Sequence, residues 1–261
     1  MRLPASYPMA LLAALITLTP VFILMVLASD ASTVFDSHNL KILGNTLSLM
    51  GLTVLGSILI GVPLAFISAY VHLPFKKLWL VFFAAPLAVP SYIGAFTLYA
   101  AFGPGGEINT VTGIETPSMY GLTGAAIVMT LYTFPFVMMT TRSSLLSLDA
   151  SMVNAARTLG MSMTQSVFKV ILPRVVNGIA AGSLLVALYT LSDFGTPAMM
   201  RLDTFTRVIY VEYNAFALGR AAMLSLQLMV IVGFLLLIES QIKTASEKQG
   251  RPLILFPNKW Q

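Results

Sequence analysis

The feature that most constrains this chain is a series of long apolar runs without a single charged residue. Met9 to Ala28 is one, Ile42 to Val71 a second, and Leu78 to Phe102, Tyr120 to Thr141, Val175 to Ser192 and Ala221 to Ile238 continue the pattern. About 20 apolar residues in a helix cross a bilayer core. With no water at that depth, backbone polar groups must be satisfied within each segment, which selects helices. The expectation is an all-α polytopic membrane protein with six transmembrane helices in a single domain over residues 1–261. Composition agrees: 57% of the residues are hydrophobic and 10% charged, against about 25% charged in soluble domains.

Met9 to Ala28 competes with a signal peptide, but its apolar stretch is long for one and only Arg2 precedes it. In the second run Gly51, Gly56, Ser57 and Gly61 give a small-residue face for close helix packing. Pro86 and Pro90 remove backbone donors from the third, so that helix should kink or break. Asp30 to Lys41, Gly103 to Met119 and Pro197 to Arg220 read as polar connections. Gly178 and Gly182 form a GxxxG pair that suits either a subunit contact or packing within the chain.

Charge sets an orientation. With the amino terminus inside, the inner segments hold 11 of the 15 basic residues and the outer loops hold Lys41, Arg201, Arg207 and Arg220. The positive-inside rule then places both termini in the cytoplasm. The net charge of +5 is thereby explained by topology, and no nucleic-acid partner is expected.

Between the fourth and fifth runs lies a polar insert, residues 142–174. Asp149 is a suitable N-cap for a helix over Ala150 to Leu159, which Gly160 should end. Met152, Ala155, Ala156 and Leu159 recur at i, i+3, i+4 and i+7, giving a narrow apolar stripe. Ser162 and Gln165 have capping-box spacing for a second short helix, which Pro173 should stop or turn. The alternative for the spacing alone is an ordinary loop. A short helix with an apolar stripe is marginal in water and should dock on something.

Ala155, Ala156 and Gly160, followed by Val170 and Leu172-Pro173, resemble the EAA motif of ABC-importer permeases, the inner-membrane subunits of binding-protein-dependent transport. Asn154 stands where that family usually has Glu, and Val170 where it usually has Ile, which bears on one polar contact and not on docking. The resemblance implies the type I importer permease fold. It also implies that Asp149, Asn154, Ala155, Ala156, Gly160, Leu172 and Pro173 form a coupling segment that inserts into a cytoplasmic ATPase dimer. That partner would bind ATP and Mg; this chain is expected to carry no cofactor and no catalytic site of its own. Leu191 to Pro197, with Thr204 to Thr206 and Ile209-Tyr210, is similar to the ferric-iron type and its relatives for aminoethylphosphonate, thiamine and polyamines. From that resemblance Asp193, Gly195 and Pro197 are candidate residues of a gate or outer mouth. A periplasmic binding protein and a second permease unit, identical, homologous or fused, are the other implied partners, in a bacterial inner membrane. One set of six spans reads as a stand-alone subunit or as half of a fused protein.

No phosphate loop GxxxxGK[ST] occurs, so ATP hydrolysis falls to a partner. Asp193-Phe194-Gly195 spells a kinase triplet without the rest of a kinase. His38 and His72 are far apart, and there is no cysteine, so no metal site is expected. Asp193 sits about 27 Å along its span, near the outer surface, where a carboxylate costs less than at mid-bilayer. It reads either as a pathway residue or as a helix cap. The rival class, an ion-coupled secondary transporter, would need ionisable residues buried in its spans, and this chain offers Asp193 at one edge.

Overall fold

A computed structural model describes residues 6–29, 36–113 and 119–247, and among these it is helical without strands. The expected stretches at Asp30, at Met119's preceding loop and in the basic tail beyond 247 fall wholly or partly outside the described residues. Helix α1 is Ser6–Ala28, α2 Ser37–Tyr70, α3 Lys76–Ala84, α4 Ser91–Phe102 and α5 Glu107–Thr112; α6 is Gly121–Leu146. Then come α7 Ala150–Thr158, α8 Met163–Ser166, α9 Leu172–Ser192, α10 Gly195–Met199, α11 Phe205–Asn214 and α12 Leu218–Glu247.

Among the described residues five helices are long and apolar enough to cross a membrane, and a bent pair, counted as one span, brings the number to six. Met9–Ala28 carries the first span with the expected bounds. The second is longer than expected, because Asp36 caps α2 by accepting from the Asn39 amide at 2.7 Å, so the helix begins inside the stretch read as a loop. The third is the bent pair: Lys76–Ala88 and Ser91–Thr112 meet at 93°. Pro86 and Pro90 flank that bend, as their missing donors and ring sterics require. Pro197 to Arg220, expected as a polar connection, instead contains α11 and most of α10, with Phe205 and Val208 buried. Buried aromatic and β-branched residues outweighed the polar composition of that stretch.

Helix α6 is the central post, packed on α2 along one side and on α9 along another. Small residues set the spacing. A Cβ added to Gly61 would lie 2.8 Å from the Phe134 carbonyl, and one added to Gly182 would lie 2.6 Å from Val137 Cα. The GxxxG pair therefore serves packing within the chain, both glycines facing α6. Gly51 does not share the α2 contact face: nothing lies within 4 Å of its Cβ position. At the same seam the Thr133 hydroxyl donates to the Met129 carbonyl at 2.7 Å, so the 3.0 Å contact with Ser57 is a bond that Ser57 donates. Helix α1 is the outermost element and packs on α12.

Two apolar clusters mark the two ends of the bundle. One gathers Ala65, Phe134, Met138, Leu145, Ile171 and Val175; the other gathers Ile42, Phe205, Val208 and Leu224. Lys76, Lys77, Arg142, Arg157, Lys169 and Arg174 belong by sequence to the first end, and Lys41, Arg201, Arg207 and Arg220 to the second. For these ten residues the division read from the sequence is thus a division in space.

Gly182→Val should lower the melting temperature of the purified protein in detergent by an amount equivalent to about 1–3 kcal/mol or more, because the added atoms meet α6 backbone. Gly51→Val, on the open side of α2, should leave it nearly unchanged.

Candidate functional site

The insert folds as a helix, a tight turn and a second helix. Asp149 caps α7, its Oδ1 accepting from the Ser151 amide at 2.9 Å, and that bond holds the carboxyl below the ordinary carboxylate range. The helix ends in a Schellman arrangement: the Met161 amide donates to the Ala156 carbonyl at 3.1 Å and the Gly160 amide to Arg157 at 3.0 Å. This places Gly160 at φ +84°, a left-handed conformation that β-branched residues resist. Ser162 and Gln165 form the expected capping box, with both reciprocal bonds present.

The expected apolar stripe does not point one way. Ala156 is buried, and Val153 is half-buried against the Leu145 and Ile171 cluster, whereas Ala155 is exposed and Leu159 is 82% exposed. A nine-residue helix needs an anchor on its own protein. Val153 and Ala156 supply it, leaving Asn154, Ala155 and Leu159 on the outward side. Met163 and Phe168 on the following helix are also exposed. Large apolar side chains displayed on a polar elbow mark an interaction surface.

Pro173 does not stop the chain. Met163–Ser192 runs as one 30-residue span candidate, with a π-helical turn over Val167–Ile171 just before Leu172 and Pro173. In an α-helix the proline ring would strike the carbonyl four residues back, and its missing N–H would leave that oxygen unpaired. The turn here is wider than α-helical: the Leu172 amide reaches back five residues to the Val167 carbonyl. The second helix of the insert and the fifth span are therefore one rod.

At the rod's other end lies the Asp193 group. Asp193 is the C-cap of α9, and its Oδ2 accepts from the Thr196 amide at 2.9 Å in the first turn of the short α10. Its Oδ1 accepts from the Ser91 hydroxyl, and its backbone carbonyl accepts from Thr206 Oγ1 at 2.8 Å. Ser91 is buried and is the first residue of α4, immediately after the bend in the third span. Gly195 makes the same junction possible, since a Cβ there would lie 2.8 Å from Tyr92 Cβ. Pro197 is buried, and its carbonyl accepts from the Leu202 amide at 2.9 Å. The structure thus brings Asp193, Gly195 and Pro197 together with Ser91, Tyr92 and Thr206. Ser91 and Tyr92 were missed in the sequence; a hydroxyl placed directly after Pro90 at a helix start was the available signal. Among the described residues no group of three or more His, Asp or Glu side chains converges as a metal site would require.

Residues 61–241 match the family described as the binding-protein-dependent transport system inner membrane component. Among curated relatives, a Fe(3+)-transport system permease protein of Haemophilus influenzae is 29% identical over 206 residues, 78% of this chain and 38% of the relative. A spermidine/putrescine transport system permease protein from the same organism is 31% identical over 62% of this chain and 59% of its own length. A probable molybdenum ABC transporter permease protein of Haloferax volcanii is 28% identical over 85% of this chain and 84% of that protein. The chain thus spans well under two thirds of the first two relatives it matches. A bacterial alginate ABC transporter, solved with a periplasmic protein carrying an alginate pentasaccharide, superposes with a TM-score of 0.65 at 17% identity, over 90% of this chain and 92% of that one. The inward-facing MetNI methionine ABC transporter gives 0.60 at 14% identity, over 81% and 99%. At those identities the likeness is one of fold.

Asp193→Asn keeps one acceptor where two donors arrive, so it should cost about 1–3 kcal/mol of stability. In a double-mutant cycle with Ser91→Ala, melting temperatures should show a coupling of about 0.5–3 kcal/mol between the two positions. Strict additivity would mean that the bond contributes nothing.

Proposed function

The chain belongs to the binding-protein-dependent transport system inner membrane component family, and from that premise we propose the parts it plays in an ATP-driven importer. As a permease subunit it spans the membrane; the α7 elbow docks in a cytoplasmic ATPase dimer, which binds ATP and Mg. A periplasmic binding protein delivers solute at the opposite end, where Asp193, Gly195 and Pro197 form part of a gate or outer mouth. A second permease unit completes the pathway.

The observation that carries this reading is the elbow. Its Schellman turn and capping box fix its shape, its anchor residues tie it to α6, and Leu159 is left without a partner at 82% exposure. Through the Met163–Ser192 rod, displacement of the elbow reaches the Asp193 junction about 45 Å away. There the fifth span is bonded to the bent third one. Closure of the ATPase would push on one end of a lever and shift the bend at the other. Both termini lie in the cytoplasm in this orientation, which follows the charge partition.

Ferric iron is the favoured solute, by likeness to the Haemophilus permease named for it and to the stretch around Asp193. Polyamine, aminoethylphosphonate or thiamine import is the second reading, of which polyamine is favoured by the spermidine/putrescine relative. Molybdenum, named for the third relative, belongs to the same importer class.

Two measurements test the assignment. Uptake in cells whose proton gradient is collapsed while ATP is held constant should survive; its loss would favour an ion-coupled carrier. Gly160→Val should abolish most transport at normal membrane levels, whereas Gly160→Asn should retain most of it. Nothing crowds the position, and only the left-handed backbone, which Asn tolerates, is at stake. Normal transport by the valine variant would remove the elbow from the mechanism.

A further inference from the structure

Among the described residues Arg142 has no counter-ion. It is half-buried near the end of α6, its Nε is sealed from solvent without a hydrogen-bond partner, and among the described residues no acidic side chain lies within 4 Å of it. A guanidinium in that state retains a strong demand for an oxyanion, since an unpaired buried charge is costly. It borders a cavity of about 270 Å³ between α3 and α6, whose other lining residues are Leu80, Met138, Met139, Ser143 and Leu146. Lys76 and Lys77 precede Leu80 by one turn on α3, so two further cations stand on the same approach. Neither of them is ion-paired among the described residues.

The chemistry of the cleft is divided between a cation and a hydroxyl, Arg142 and Ser143, and four apolar side chains. Depth matches that division. Arg142 lies about 31 Å along α6 from Gly121, close to the thickness of a hydrocarbon core, so it sits where acyl chains give way to headgroups. Met139 and Leu146 are exposed, as are Leu78, Val81 and Phe82 on α3, so the cleft opens onto an apolar surface. An acidic peptide would bring charge without the tail that this surface suits.

We propose that the α3–α6 cleft binds the phosphodiester of an anionic phospholipid, with Arg142 as the anion ligand, Lys76 and Lys77 steering, and Leu80, Met138, Met139 and Leu146 receiving the first acyl carbons. Basic pockets between transmembrane helices favour such headgroups. Only the choice of leaflet rests on the orientation proposed above. The site itself does not, and its test reads neither transport nor ATP turnover.

The purified chain is placed in phosphatidylcholine nanodiscs and titrated with phosphatidylglycerol, further phosphatidylcholine or inorganic phosphate. Melting temperature and lipid retained in native mass spectrometry are recorded. Phosphatidylglycerol should raise the melting temperature and remain bound, and phosphatidylcholine should do neither. Arg142→Gln should weaken the apparent affinity about fivefold, the effect of one cation near a membrane surface. Arg142→Lys should retain most of it, and Lys41→Gln, at the other end of α2, should change nothing. Leu146→Asp, at an exposed position four residues on, gives the guanidinium a carboxylate of its own and should also reduce retention. Equal retention in wild type, Arg142→Gln and Leu146→Asp overturns the proposal. Equal stabilisation by inorganic phosphate overturns the lipid assignment in favour of a free anion.

Discussion

Everything in this molecule depends on how closely α2 and α9 can approach α6. Lipid tails are as apolar as leucine, so no hydrophobic gain drives helices together in a bilayer; contact must come from packing and from bonds between helices. Glycine meets that demand at Gly61, Gly178 and Gly182, where backbones run past each other with no room for a methyl group. The Ser57–Thr133 bond then fixes the relative rotation of α2 and α6. Met129, Val137 and Met138 of the post itself are fully buried between its neighbours.

Around this post the chain is held differently at its two ends. One end is closed by polar and backbone bonds: Asn45 Nδ2 donates to the Asp203 carbonyl at 3.0 Å, the Thr46 hydroxyl accepts from the Phe205 amide at 3.2 Å, and Asp193 joins α9, α10 and α4. Arg220 adds a link to Glu212 at 3.3 Å. The other end holds the elbow through apolar packing of Val153 on the Leu145 and Ile171 cluster, with Ala156 also buried. Directional bonds resist rotation, and apolar contacts permit sliding.

The sequence exposed the spans well because absence of charge over 20 residues has few other meanings. It also exposed the caps, since Asp149, Gly160 and the Ser162–Gln165 pair act within one turn and need no tertiary partner. What it concealed were the features decided by neighbours. Spacing placed Ala155 with Ala156 on one face, but which of them faces inward depends on where Leu145 and Ile171 lie. Pro173 reads as a stop or a turn into the next element because the sequence carries no mark of the wide turn that precedes it. Helix α11 hid behind Arg207, Glu212 and three polar neighbours, its burial coming from Ile42 and Leu224 far off in the chain. Asp193 stands out in the sequence as an anomaly, to be read either as a pathway residue or as a helix cap, but its bond to Ser91, 102 residues away, leaves no mark there.

The π turn at Val167–Ile171 carries one consequence of its own. Such a turn amounts to a single extra residue in an α-helix, and each residue advances the chain by about 100° around the axis. It therefore sets the compass bearing of everything on its amino-terminal side. An uninterrupted helix of one residue fewer would keep the same membrane crossing yet swing Leu159 about a quarter-turn away from its present heading. The bulge is an aiming device, tolerated beside a proline because it decides which way the tip of the molecule looks.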